Sequence, residues 1–165
     1  GIGNFGKVMQ NLNQLDIIED IKRHISEKKY TLFICVGLQI LFESSEEDLL
    51  SKGLGIFKGK VKKFPNFYNK NSLKIPAIGW NKIFFNNKQT SNIFKRNGGN
   101  FYFTHSYYVD PEDKNIIHTK CNYNGFVYCS SVKHNNLLAT QFHPEKSGIT
   151  GLNLIKEFLL ESLST

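Results

Sequence analysis

The chain has 165 residues, enough for one domain with a real core, and its 40% hydrophobic and 21% charged residues are those of a folded protein rather than a disordered one. No apolar stretch approaches the roughly 20 residues of a membrane helix, and the chain opens on glycines and polar residues, without the basic start and apolar run of a secretory signal. The formal charge of +7 is spread from Lys7 to Lys156 and interleaved with asparagine, which fits a solvated surface better than the focused patch of a nucleic-acid binder, and would suit an acidic partner protein or a phosphorylated substrate.

From Val8 through Met9, Leu12, Leu15, Ile18, Ile21 and Ile25 the apolar residues fall at helical spacing, predicting one or two helices packed by one face on a sheet. The run from Tyr30 to Cys35 is a short, fully apolar strand of the kind buried in a parallel sheet. After Gly37, the segment from Leu38 to Phe42 and the acidic stretch from Glu43 to Asp48 read as a helix. Helix, strand, sharp turn, helix is the order of an α/β layered fold.

The middle is β-like: residues 60–64, 74–78 and 82–85, then the aromatic run from Phe101 to Val109, are strands by propensity. Residues 125–132 and 137–142 are expected to pair across the turn His134-Asn135-Asn136. Leu152, Leu154, Ile155, Phe158, Leu159 and Leu163 close the chain as an amphipathic helix covering a sheet face. No repeat or long linker interrupts it, so residues 1–165 are expected to form a single domain.

Three cysteines, Cys35, Cys121 and Cys129, form no Cys-x-x-Cys pair and read as free thiols of a reducing, cytoplasmic setting. Cys35 stands apart because it sits where a buried strand turns sharply into a helix. Such a turn pushes the side chain clear of the backbone, and the helix N-terminus favours thiolate. Far along the sequence, Gln141-Phe142-His143-Pro144-Glu145 follows another apolar strand. There His143 could take a proton from the thiol and return it to a leaving amine, Glu145 could orient the imidazole, and Pro144 would stiffen the link between them. A Cys–His–Glu set implies acyl transfer through a thioester, which needs backbone N–H groups as an oxyanion hole. The glycine-bracketed turn Gly1-Ile2-Gly3 and the N–H of Val36 are the candidates. His24, His118 and His134 read as surface or capping residues. No metal-ligand spacing and no phosphate loop is present, so neither metal nor cofactor is expected.

Cys35-Val36-Gly37-Leu38-Gln39 with His143-Pro144-Glu145 resembles the class I glutamine amidotransferases. Gly79-Trp80-Asn81, His105-Ser106-Tyr107 and the stretch from Gln141 to Gly148 are similar to those glutaminases that pass ammonia to a (β/α)8-barrel synthase of histidine biosynthesis. The resemblance spans nearly the whole chain. It implies a three-layer α/β, flavodoxin-like fold whose mostly parallel central sheet carries added antiparallel strands. It implies that Cys35, His143 and Glu145 hydrolyse L-glutamine. Ile2, Gly3 and Val36 would form the oxyanion hole, Gln39, Ser106 and Tyr107 would hold the glutamine, and Trp80, Tyr102 and Lys146 would meet the barrel subunit, separate or fused, with no nucleic acid and no membrane. Two departures stand out. Phe33 replaces the glycine usual two residues before the nucleophile, where it would crowd the elbow or fill a neighbouring gap. The family domain also carries a further βαβ-type segment ahead of the glycine turn, so its N-terminal part is expected to be missing. Two other readings remain open at this point: a paralogous glutaminase feeding amidino-sugar synthesis, and a partner-binding module without turnover.

Overall fold

The computed structural model describes residues 2–86 and 98–164, leaving Gly1 of the glycine turn outside the described residues. The elements run α1 (Phe5–Gln14), α2 (Ile18–Ser26), β1 (Thr31–Ile34), α3 (Val36–Ile40), β2 (Ser44–Ser45), β3 (Asp48–Lys52), β4 (Gly59–Lys63), β5 (Phe67–Tyr68), β6 (Asn71–Ser72), β7 (Ala77–Phe85), β8 (Gly99–His105), β9 (Tyr107–Pro111), β10 (Ile117–Tyr123), β11 (Phe126–His134), β12 (Leu137–Thr140) and α4 (Gly148–Leu163). Short 3₁₀ turns at Lys114–Ile116 and Pro144–Lys146 interrupt the later loops.

The apolar runs at β1 and β12 pair in parallel, Ile34 opposite Thr140, with β12 fully buried and β1 half-buried. β12 also pairs antiparallel with the long β11, the hub from which β10, β7 and β8 extend one way and β9, β4, β2 and β3 the other. Residues alternate across this sheet into two cores. Leu137, Ala139, Cys129 and Val132 join Phe5, Met9 and Leu38 under α1 and α3, whereas Leu138 and Tyr128 join Phe101, Phe103, Leu154 and Phe158 under α4. Helices on both faces of one sheet make the expected three-layer α/β fold. The balance within the sheet differs from expectation. Among the described residues only the pairs β1–β12 and β2–β4 are parallel, and the others are antiparallel, because the aromatic middle of the chain folds as successive hairpins rather than through helical crossovers.

Several local readings change. The acidic stretch does not prolong α3, because its carboxylates accept backbone N–H groups: Glu43 from Gly59 at 3.0 Å, Glu46 from Lys63 at 2.7 Å and Glu47 from Phe5 at 2.7 Å. The chain then folds back so closely that Leu54 donates to Ile40 O at 2.7 Å, and a Cβ on Gly53 would fall 2.0 Å from Phe42 O. The run from Phe101 to Val109 breaks at Ser106 into β8 and β9, while residues 77–85 form one strand instead of two. In α4 the buried stripe is Gly151, Leu154 and Phe158, leaving Leu152, Leu159 and Leu163 exposed. His118 also departs from a surface role: it lies in β10 with its ring edge-on to Phe85 at 5.5 Å.

Phe33 packs over Gly37, where an added Cβ would stand 3.3 Å from the Phe33 Cβ, so the bulky ring fills the space beside the elbow. At the other end of the site, α4 rests its Gly151 directly on the turn after His143: a Cβ there would lie 1.8 Å from Pro144 O. Gly151→Ala would gain about 1 kcal/mol of helix propensity but must displace backbone. We therefore expect net destabilisation of about 1–3 kcal/mol, read as a lower denaturant midpoint.

Candidate active site

Cys35 ends β1 at φ 54° and ψ −110°, a left-handed conformation that side-chain-bearing residues rarely adopt and that costs on the order of 1–3 kcal/mol. The surroundings enforce it. Cys35 N–H donates to Thr140 O at 2.7 Å, completing the parallel ladder, while its carbonyl already accepts from Leu38 at 3.0 Å, starting α3. The chain must turn within one residue, and the side chain is thrown towards a small cavity of about 190 Å³. Ile2, Gly3, Cys35, Val36, Gln39, Ser106 and Tyr107 line it, together with Glu47, Pro76, Thr104 and His105. The predicted nucleophile, oxyanion donors and glutamine contacts thus share one wall. Glu47 was not foreseen. Its carboxylate fixes the Phe5 N–H at the start of α1 and so anchors the loop that carries Ile2 and Gly3.

His143 and Glu145 are not part of the cavity wall. His143 is fully buried, its backbone N–H donating to Tyr102 O at 2.9 Å and its carbonyl accepting from Ser147 Oγ at 2.5 Å. Its Nδ1 meets Glu145 Oε1 at 2.6 Å, which assigns the proton to Nδ1. Nε2 is left buried without a hydrogen-bond partner, a free acceptor. Glu145 keeps its own side chain 42% exposed, and its carboxylate still adds an upward push to the Cys35 thiol.

The expected preference for thiolate is not met in this arrangement. Burial pushes the Cys35 thiol up, and the opposing N–H of Val36 and amide of Gln141 do not outweigh it. A five-residue helix has little dipole to offer, and the sulfur is largely dry. A base is therefore needed to ionise it. Cys121 and Cys129 are pushed further, to about 11 and about 12, by burial in the core, which leaves them inert.

The backbone at residues 105–107 is held by a histidine whose role went unread in the sequence. His105 Nδ1 donates to Tyr107 O at 2.8 Å, and its Nε2 accepts from Tyr128 OH at 3.1 Å. Gln39 Nε2 reaches the same Tyr107 O at 3.3 Å. Trp80 and Tyr102 stand opposite each other on β7 and β8 with ring centroids 6.2 Å apart, Trp80 57% exposed, and Lys146 is exposed on the turn after His143. Tyr102 bridges to the His143 backbone, and Lys146 donates its own N–H to His143 O at 3.0 Å.

Burial lowers the His105 pKa to about 4, with the nearby His143 charge adding to the effect. Its folded value lies below the unfolded value of about 6.5, so stability from this group is present above pH 6.5 and is lost as pH falls towards 4. The His105 ring resonance should titrate near pH 4, and the denaturant midpoint should fall across the same window.

The profile of the glutamine amidotransferase class-I family matches residues 2–162. Curated relatives named imidazole glycerol phosphate synthase subunit HisH are 45% identical over 96% of this chain and 73% of the protein in Aquifex aeolicus. The corresponding figures are 41% over 96% and 76% in Acinetobacter baylyi, and 44% over 96% and 77% in Pyrococcus furiosus. Among solved structures, a glutamine amidotransferase superposes with a TM-score of 0.68 over 99% of this chain and 76% of that one, at 13% identity. PurLQS from Thermotoga maritima superposes at 0.64 over 88% and 68%, at 18% identity. Both support the fold alone.

Proposed function

Because the chain belongs to the class I glutamine amidotransferase family, we propose that it is the glutaminase subunit of imidazole glycerol phosphate synthase. It hydrolyses L-glutamine to glutamate and ammonia and delivers the ammonia to a (β/α)8-barrel cyclase subunit, in the cytoplasm, for histidine biosynthesis. The observation that carries this reading is the cavity at the Cys35 elbow, with the oxyanion donors and the glutamine contacts on the same wall as the sulfur.

The chemistry follows from the proton positions. Glu145 keeps the His143 proton on Nδ1, so Nε2 accepts the thiol proton as Sγ attacks the side-chain amide carbon of glutamine. The oxygen of the tetrahedral intermediate takes its negative charge between the N–H groups of Gly3 and Val36. The C–N bond breaks as His143 returns the proton to nitrogen. Ammonia leaves, and a glutamyl thioester remains on Cys35. Water, deprotonated by the same Nε2, then splits the thioester to glutamate and regenerates the thiol. Gln39 and the backbone of Ser106 and Tyr107, which line the same cavity, orient the substrate.

The partner reading rests on the outward face of β7 and β8. Trp80 and Ile78 leave more than half their surface exposed there, and Tyr102 between them and His143 ties that face to the base. A barrel docked on Trp80, Tyr102 and Lys146 would press on the backbone that holds His143.

Glutamate release should rise when the barrel subunit and its phosphoribosyl-formimino-carboxamide nucleotide are added, and should vanish in Cys35→Ala. Glu145→Gln should lower kcat by about a hundredfold. Trp80→Ala should weaken the partner's stimulation and leave unstimulated release in place. Firm partner binding with no release under any condition would instead identify a binding module.

A further inference from the structure

Gln141 is fully buried at the end of β12 and holds two polar groups of the site at once. Its Nε2 donates to Cys35 Sγ at 3.7 Å, and its Oε1 accepts from Gln39 Nε2 at 3.2 Å. Its backbone is fixed as well, the N–H donating to Ser130 O at 2.8 Å. A buried primary amide is costly unless both ends find partners. Here one end meets the sulfur and the other meets the residue that faces the substrate. An aliphatic side chain of similar length would fill the same space, so the amide is chemically informative.

We propose that Gln141 is a positioning residue for glutamine hydrolysis, its amide aiming and stabilising the Cys35 thiolate while its carbonyl oxygen sets the direction of the Gln39 amide. This rests on Cys35 being the nucleophile. Besides the Val36 N–H, Gln141 supplies the donor that opposes the upward push of burial on the thiol. Hydrogen bonds to a charged acceptor are strengthened in so dry a site. Through Gln39 the chain of contacts continues to Tyr107 O and from there to His105, so the nucleophile and the substrate-facing backbone are set by one connected network.

The test is the pH dependence of Cys35 alkylation by iodoacetamide, followed by peptide mass spectrometry, in the unsubstituted chain and in Gln141→Met and Gln141→Leu. Loss of a hydrogen bond to a charged sulfur should raise the midpoint by about one pH unit, with alkylation about tenfold slower at neutral pH. The KM for glutamine should rise as Gln39 loses its acceptor. In the unsubstituted chain, which requires no variant to fold, the Gln141 side-chain amide resonance should shift through the same midpoint as Cys35 alkylation. A midpoint unchanged in either folded variant, or a Gln141 resonance indifferent to Cys35 ionisation, would overturn the proposal. Because alkylation needs no turnover, a failure of the amidotransferase reading (no glutamate released by any form) is seen separately.

Discussion

The parallel contact between β1 and β12 is the constraint on which the site depends. Over a hundred residues separate these strands in sequence, yet the register Ile34 to Thr140 brings their ends level, and the bond from Cys35 N–H to Thr140 O closes the ladder at its last rung. Two consequences follow from that one bond. Cys35 is pinned at the point where α3 must begin, so the backbone takes a left-handed turn and the sulfur is driven off the sheet. The residues after Thr140 leave β12 at the same edge, so Gln141 arrives beside the sulfur and His143 follows two residues on. A one-residue slip would reverse the faces of every side chain in β12, exchanging the Leu137–Ala139 and Leu138 cores and moving Gln141 away from Cys35.

Around that edge the protein trades ionisation for control. A fully exposed thiol would ionise more readily, but this sulfur is largely dry, and burial holds it in the neutral form. Reactivity then calls for a base, and the acceptor nitrogen of His143, the residue proposed for that role, is itself buried and unpartnered. Such a nitrogen is costly in a resting protein, and the cost is sustained by rigid surroundings: Glu145 on Nδ1, Tyr102 and Ser147 on the backbone, and α4 seated through Gly151 against Pro144. His143 is thereby tied through its backbone to Tyr102 in β8, which lies beside Trp80.

The acidic turn does comparable work on the other side of the cavity. Glu43 and Glu46 accept backbone N–H groups from the two ends of β4, and Glu47 accepts one from the start of α1, which draws α1 and β4 around the end of α3. Charge-assisted bonds of this kind are shorter and stronger than neutral ones, and here they position the loop of Ile2 and Gly3 rather than a charged ligand.

Much of this was legible in the sequence. Helical spacing over residues 8–25, the uninterrupted apolar runs at β1 and β12 and the final helix fixed the α/β class, and the elbow at Cys35 with His143-Pro144-Glu145 pointed to thioester chemistry, because those features are local and their periodicity is set by backbone geometry alone. Tertiary structure alone decided the rest. The run Glu43–Asp48 was read as helix because its propensity is helical, and the partners of its carboxylates lie in segments that only folding brings near. Antiparallel hairpins outnumber parallel pairs because strand direction depends on connections, not on composition. His105 and Gln141 lie in stretches that carry the family resemblance, but nothing in those stretches says what their side chains hold. A polar side chain at a strand end becomes part of a site only through what the opposing strand places within hydrogen-bond distance, and for Gln141 those neighbours are Cys35 and Gln39, both about a hundred residues away.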